Sequence, residues 1–146
     1  MAHVEEDILI HAPMDKVFAR VQDNERYPDW WPNMIEQKRL TPDPLVVGSR
    51  SRFVYNMLGV KTSGEIELAI YEPPRHLTVR TSGGVNGTFD WRCVDENGAT
   101  HLRVVIDYSL PGSILGKLAD KLVVEKRNQA DLEAGLQKLK ELIEAS

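Results

Sequence analysis

The sequence is short of the features that assign a chemistry directly. One of its 146 residues is a cysteine, Cys93, so no intrachain disulfide can form and a reducing compartment is the expected setting. The four histidines (His3, His11, His76 and His101) form no His-x-x-x-His pair, and there is no Cys-x-x-Cys, so no metal site is expected. Gly-x-Gly-x-x-Gly, Gly-x-x-x-x-Gly-Lys-Ser/Thr and Gly-x-Ser-x-Gly are all missing, which excludes nucleotide binding by those routes and a serine held on a nucleophile elbow. No cofactor is therefore expected. No apolar run approaches the roughly 20 residues of a membrane span, and Met1 to Glu6 lacks the basic-then-apolar order of a signal peptide. The expectation is a cytoplasmic protein without a transmembrane segment.

A surplus of positive charge is missing too. Eighteen basic residues against twenty-two acidic ones give −4, which leaves nothing with which to hold a phosphate backbone, so nucleic acid is not an expected partner. Residues 1–32 carry that whole excess, with seven acids and three bases. What remains is average globular composition, 42% hydrophobic and 27% charged, over a length that fits one domain, residues 1–146. No repeat or low-complexity linker divides it.

The hydrophobic periodicity changes twice along the chain. Val4, Ile8 and Ile10 share one face of a first strand that ends at His11-Ala12-Pro13. Val17, Phe18 and Val21 then take the spacing of a short amphipathic helix, with Asp15 at its positive end. A second short helical piece runs from Asn24 to Trp31, carries Tyr27, Trp30 and Trp31, and is cut off by Pro32. From Met34 to Leu110 the period is two, with turn signals at Gly48, Leu58-Gly59, Pro73-Pro74, Gly83-Gly84, Asn86-Gly87 and Asn97-Gly98. Six strands are expected, at 34–40, 49–57, 60–71, 76–82, 87–94 and 100–109. Where both faces can be read, at 65–70, 88–93 and 101–108, one is apolar and the other wet, the mark of an antiparallel sheet. Asp90, Arg92, Arg103 and Asp107 fall on the wet face as structural charge pairs, and Cys93 falls inward as a packing thiol.

Pro111-Gly112 closes the sheet, and Ser113 is a plausible N-cap for a last helix of roughly 30 residues, to Glu144. A strict 3–4 spacing along it selects Leu115, Leu118, Leu122, Glu125, Gln129, Leu132, Leu136, Leu139 and Ile143. Seven of the nine are large aliphatics, so this stripe is expected to face the sheet. Glu125 and Gln129 interrupt it. Either helix and sheet part there around a cavity into which both point, or the helix reaches the rim and leaves both in solvent. In a cavity, Glu125 would be a carboxyl of raised pKa able to exchange protons near neutrality. The inward strand positions opposite supply Phe53, Tyr55, Met57, Ile66, Leu68, Trp91, Val104 and Tyr108, three of them aromatic bodies with a polar tip.

The chain resembles a known superfamily in detail. Ile8-x-Ile10-x-Ala12-Pro13-x-x-x-Val17-Phe18, Asp23-x-x-x-Tyr27-Pro28-x-Trp30-Trp31-Pro32, Val47-Gly48 and Tyr71-Glu72-Pro73-Pro74-Arg75-x-Leu77 are similar to the SRPBCC (START/birch-pollen-allergen-like) superfamily, in its polyketide cyclase/dehydrase-like branch. So are Gly98-x-Thr100-x-Leu102, Asp107-Tyr108-x-Leu110-Pro111-Gly112 and Leu136-x-x-Leu139-Lys140-x-x-x-Glu144. The resemblance implies an α+β helix-grip fold: a seven-stranded antiparallel curved sheet around a long C-terminal helix, two short helices after the first strand, and an internal cavity. It implies a cavity lined by the inward residues above with Leu118, Leu122, Glu125 and Gln129, its mouth closed by Trp30, Trp31 and Met34.

Three functions follow as expectations. The first is binding or transport of a hydrophobic or aromatic small molecule such as a lipid, quinone or polyketide. The second is a polyketide aromatase/cyclase or dehydratase, with Glu125 and Tyr55 or Tyr108 moving protons. Against it, no arginine is expected inward on the strands whose two faces read clearly, and Met34 stands where such cyclases commonly carry a tyrosine. The third is a co-chaperone-like module using Tyr27, Trp30 and Trp31 as a protein contact. Fold alone does not choose among them, and the sequence leaves the oligomeric state open.

Overall fold

The computed structural model describes residues 1–118 and 120–146. Seven strands pair antiparallel in the order β1-β7-β6-β5-β4-β3-β2. They are β1 (Ala2–Ile10), β2 (Met34–Arg39), β3 (Arg50–Met57), β4 (Val60–Glu72), β5 (His76–Gly83), β6 (Asn86–Glu96) and β7 (Ala99–Ser109), so each expected strand is present to within two residues at either end. The tight turns follow local chemistry. Leu58-Gly59 and Asn97-Gly98 take positive φ at both positions (51° and 88°, 53° and 88°), the pairing that matches the twist of the strands they join.

The sheet curls because its backbones approach closely at two glycines. A Cβ on Gly64 would overlap the Ser82 carbonyl, and one on Gly87 would overlap that of Asp107. A bulge in β4 between Leu68 and Ile70 adds to the bend. Val17, Phe18 and Val21 of α1 (Met14–Gln22) are buried under the curled sheet as their spacing required. The second helical piece is a single 3₁₀ segment, Asn24–Asp29, and Trp30 and Trp31 lie just beyond it.

The last helix departs from expectation. Instead of one run from Ser113 there are a single turn, α2 (Gly112–Leu115), and a separate helix, α3 (Lys121–Glu144). Gly116 ends the first, and Asp120, in extended conformation, caps the second by accepting from the Leu122 amide at 2.9 Å. Both signals stand in the sequence, a glycine poor for helix interiors and an N-cap aspartate. The expected helix also covered Ala119, which lies outside the described residues.

The buried face of α3 is Val124, Asp131, Leu132, Gly135, Leu136, Leu139 and Ile143. The C-terminal half of the expected stripe is in place and the N-terminal half is not: Leu122 is 57% exposed, Gln129 is exposed and Leu115 is 39% exposed. A strict 3.5-residue repeat drifts by ~20° per heptad on a straight helix. That drift is too small to account for the change: toward its N-terminal end the helix buries Val124 and Asp131 and brings Asn128 to the cavity, so its inward face has moved round the axis to one side of the expected stripe. Two contacts fix the helix end on β1: Lys140 Nζ donates to the Leu9 carbonyl at 2.7 Å, and Glu144 accepts from the His11 amide at 2.8 Å. This is the helix-grip fold.

Candidate functional site

A cavity lies between the concave face of the sheet, the 3₁₀ segment with its tryptophan loop, and the middle of α3. The space open to water centres is about 130 Å³, enough for roughly ten waters. Phe53, Tyr55 and Met57 of β3, Ile66 and Leu68 of β4, Trp91 of β6 and Tyr108 of β7 line it, joined by Leu77 and Val79 of β5 and by Phe89, Val85 and Ile106. Trp31 and Met34 line its other wall. α3 contributes Asn128 alone.

Five expected lining residues are elsewhere. Val104, 0% exposed, lies in the solid part of the core, and Leu118 is half-buried off the cavity. Leu122 faces solvent, as Gln129 does. Gln129 donates to Glu6 at 3.0 Å across the outside of β1. Glu125 is not among the cavity's lining residues; it lines a neighbouring pocket with Met1, Ala2, Leu115 and Lys121, and Tyr108 borders both. Of the expected mouth residues, Trp30 is 3% exposed and backs onto Trp91 edge-on, with ring centroids 6.2 Å apart, instead of lining the cavity. Tyr27, Trp30 and Trp31 are all buried in one aromatic cluster, with Tyr27 to Trp30 at 4.7 Å and Trp30 to Trp31 at 5.7 Å, and so offer no exposed contact for a protein.

The ionisable groups around the cavity are held neutral or occupied. Tyr55 donates to Asp131 Oδ2, a 5% exposed carboxylate that also accepts from Asn33 Nδ2 at 2.9 Å. Burial, and then that hydrogen bond and negative charge, push the Tyr55 phenol well above its ordinary pKa. Tyr108 accepts from Asn128 Nδ2 at 2.8 Å. Its pKa is also raised, by burial first, with Glu125's charge adding and the Asn128 bond opposing. Cys93 is buried, and its thiol is pushed up to about 11, so it stays protonated at neutral pH.

Sequence reasoning missed Asn128 and Asp131, both recoverable by stepping back in fours from Leu136 and Leu139 to 132, 128 and 131. It also missed Gln37. Simple alternation sets Gln37 opposite to Met34, but β2 shifts register between Met34 and Glu36, and this brings both to the inner wall.

The sequence profile of the family described as polyketide cyclase/dehydrase and lipid transport matches residues 1–144. The chain belongs to that family. Three solved members of this fold show how widely it is shared. TTHA0849 from Thermus thermophilus superposes with a TM-score of 0.81 at 22% identity, over 99% of this chain and 98% of that one. The Zhui aromatase/cyclase from Streptomyces sp. R1128 superposes at 0.65 with 19% identity, over 97% and 87%. A START superfamily protein from Mycobacterium smegmatis superposes at 0.65 with 16% identity, over 92% and 98%. At these identities the likeness is one of fold. No curated protein sequence matches the chain. Among the described residues no helix is long and apolar enough to cross a membrane, and no cluster of metal-ligating side chains occurs. Membership of the polyketide cyclase/dehydrase and lipid transport family makes the cavity the place to look for a function.

Proposed function

We propose that this protein binds, and in doing so carries or stores, a largely apolar or aromatic small molecule in the cavity between sheet and α3. The observation that carries this reading is the lining. Aliphatic and aromatic side chains from all seven strands, the 3₁₀ segment and the tryptophan loop converge on one space, with a few amides and hydroxyls among them. Core side chains otherwise fill protein interiors to crystal-like density, and an apolar hollow of this size is a favourable place for an apolar guest.

The geometry supports binding over proton transfer. The carboxylate expected to act as base, Glu125, is turned off the cavity. Tyr55 and Tyr108 keep their protons because burial raises both pKa values. The carboxylate near the cavity, Asp131, already accepts from Tyr55 and Asn33. A cyclase would need a free base in reach of the substrate. The buried single thiol suits a reducing compartment, and the proposal places the protein in the cytoplasm as one domain.

The test is native mass spectrometry of the purified protein, with extraction of whatever is retained, set beside Val79→Trp, which fills the space. Retention of an apolar molecule by the parent and its loss in Val79→Trp is the expected result. A parent that arrives empty and also fails to bind a panel of lipids, quinones and aromatic polyketides overturns the reading.

A further inference from the structure

The cavity wall has a feature that apolarity alone does not require. No Lys, Arg, His, Asp or Glu is among its described lining residues, yet amides and hydroxyls are. Three of those polar atoms, Asn24 Nδ2, Gln37 Oε1 and Thr81 Oγ1, are buried without any hydrogen-bond partner, and so is Asn128 Oδ1 on the helix side. Such orphans are uncommon in native folds and costly to leave unpaired.

Strand register gathers them into one section of the cavity. Thr81 pairs across the sheet with Ile66 and Ile66 with Ser51, forming one cross-strand row. Gln37 pairs with Phe53, two residues along β3 from Ser51. Asn24 reaches the same section because its Oδ1 accepts from Nε of Arg39, which pairs with Ser51.

Arg39, which pairs with Ser51 and reaches Asn24, is a cation beside this section, and it is already engaged. Its guanidinium donates to Asn24 at 3.3 Å, to the Gln22 carbonyl at 3.3 Å and to Asp43 at 2.5 Å. At the other side, the Asp131 carboxylate stands behind Tyr55 and adds negative charge. An anionic head group entering this space would lose its water and meet no free cation, which is strongly unfavourable. A neutral oxygen would give the orphaned amide and hydroxyl the partners the fold does not. A carboxamide turned over presents its other end, so the wall can serve a carbonyl or a hydroxyl.

We infer that the ligand, on the cavity-binding reading above, is uncharged and carries a ketone, quinone or hydroxyl oxygen held by Gln37, Thr81 and Asn24, and that carboxylates and phosphates are rejected. Gln37 and Thr81 are then the specificity-determining residues.

The experiment titrates the full chain at pH 7.5 with the neutral apolar probe N-phenyl-1-naphthylamine, then competes it with 2-acetylnaphthalene, 2-naphthol and 2-naphthoate. These three share a ring system and differ in their polar group. The ketone and phenol should compete about tenfold or more better than the carboxylate. Gln37→Leu and the isosteric Thr81→Val should each remove much of that preference, and a far-UV circular dichroism spectrum and cooperative thermal unfolding like the parent's show that the variants fold. Equal competition by 2-naphthoate, or an unchanged preference in both variants, overturns the inference while leaving cavity binding in place. Failure of the probe and all three competitors to bind overturns both.

Discussion

The two halves of α3 do different work. From Leu132 onward the helix is welded to the sheet, with Leu132, Leu136, Leu139 and Ile143 each at most 2% exposed. Before Asp131 its contacts thin to Val124 and Asn128, while Leu122 and Val123 stand at 57% and 50% exposure. Hydrophobic burial in the second half anchors the helix, so the first half need not fill the space beneath it. The cavity is what that division leaves. Stability and binding are therefore expected to separate along one helix.

The largest effect that would break this contrast lies in the welded half. Leu139→Ala should cost about 2–5 kcal/mol in urea unfolding, because a fully buried leucine leaves a hole that neighbours refill only in part. Leu122→Ala, on the exposed side of the other half, should stay within about 0.5 kcal/mol. Equal costs would show that the N-terminal half packs as tightly as the rest.

At the junction, Asp131→Ala strips the partner from Tyr55 and from the Asn33 amide and should cost about 1–3 kcal/mol. The same variant should change the affinity of the apolar probe less than it lowers stability, since Asp131 acts on the cavity only through Tyr55.

A pH series sharpens the point. The folded pKa of Tyr55 lies above its unfolded value, so the folded state keeps a proton that the unfolded chain gives up. That contribution is complete below about pH 10 and is lost as pH rises from there through the folded value. Tyr55→Phe should flatten the alkaline fall in unfolding free energy between about pH 9 and 11 relative to the parent.

The smallest expected effect is informative because the sequence suggested a large one. Glu125→Gln should leave probe binding and its pH dependence between about 5 and 8 unchanged, measured by fluorescence, because the side chain edges a different depression. A shift in that profile would return Glu125 to the cavity.

Much of the architecture was legible in the residues. Alternation of Leu102, Val104, Ile106 and Tyr108, the Asn-Gly and Leu-Gly turns, and the proline boundaries locate every strand, since strand period and turn chemistry are local. The concave wall was legible for the same reason: of the strand positions named inward by alternation, Phe53, Tyr55, Met57, Ile66, Leu68, Trp91 and Tyr108 line the cavity, and Val104 packs in the core instead. The helix side was not. Its face depends on how the docked helix lies against the sheet: the inward side moves round the axis from Ile143, Leu139 and Leu136 to Asp131, Asn128 and Val124, and no fixed stripe follows such a shift.

The sequence by itself determined the period of each segment, the places where chain direction reverses and the sign of each face, because neighbouring residues settle those. Tertiary structure alone decided which residues meet across distance. The bulge brings Gln37 inward, the curl stacks Thr81 toward Ser51, and the docked helix sets Asp131 against Tyr55, 76 residues away in sequence. Those meetings are fixed by sheet curvature and helix rotation, which are properties of the whole packed core and of no single stretch of it.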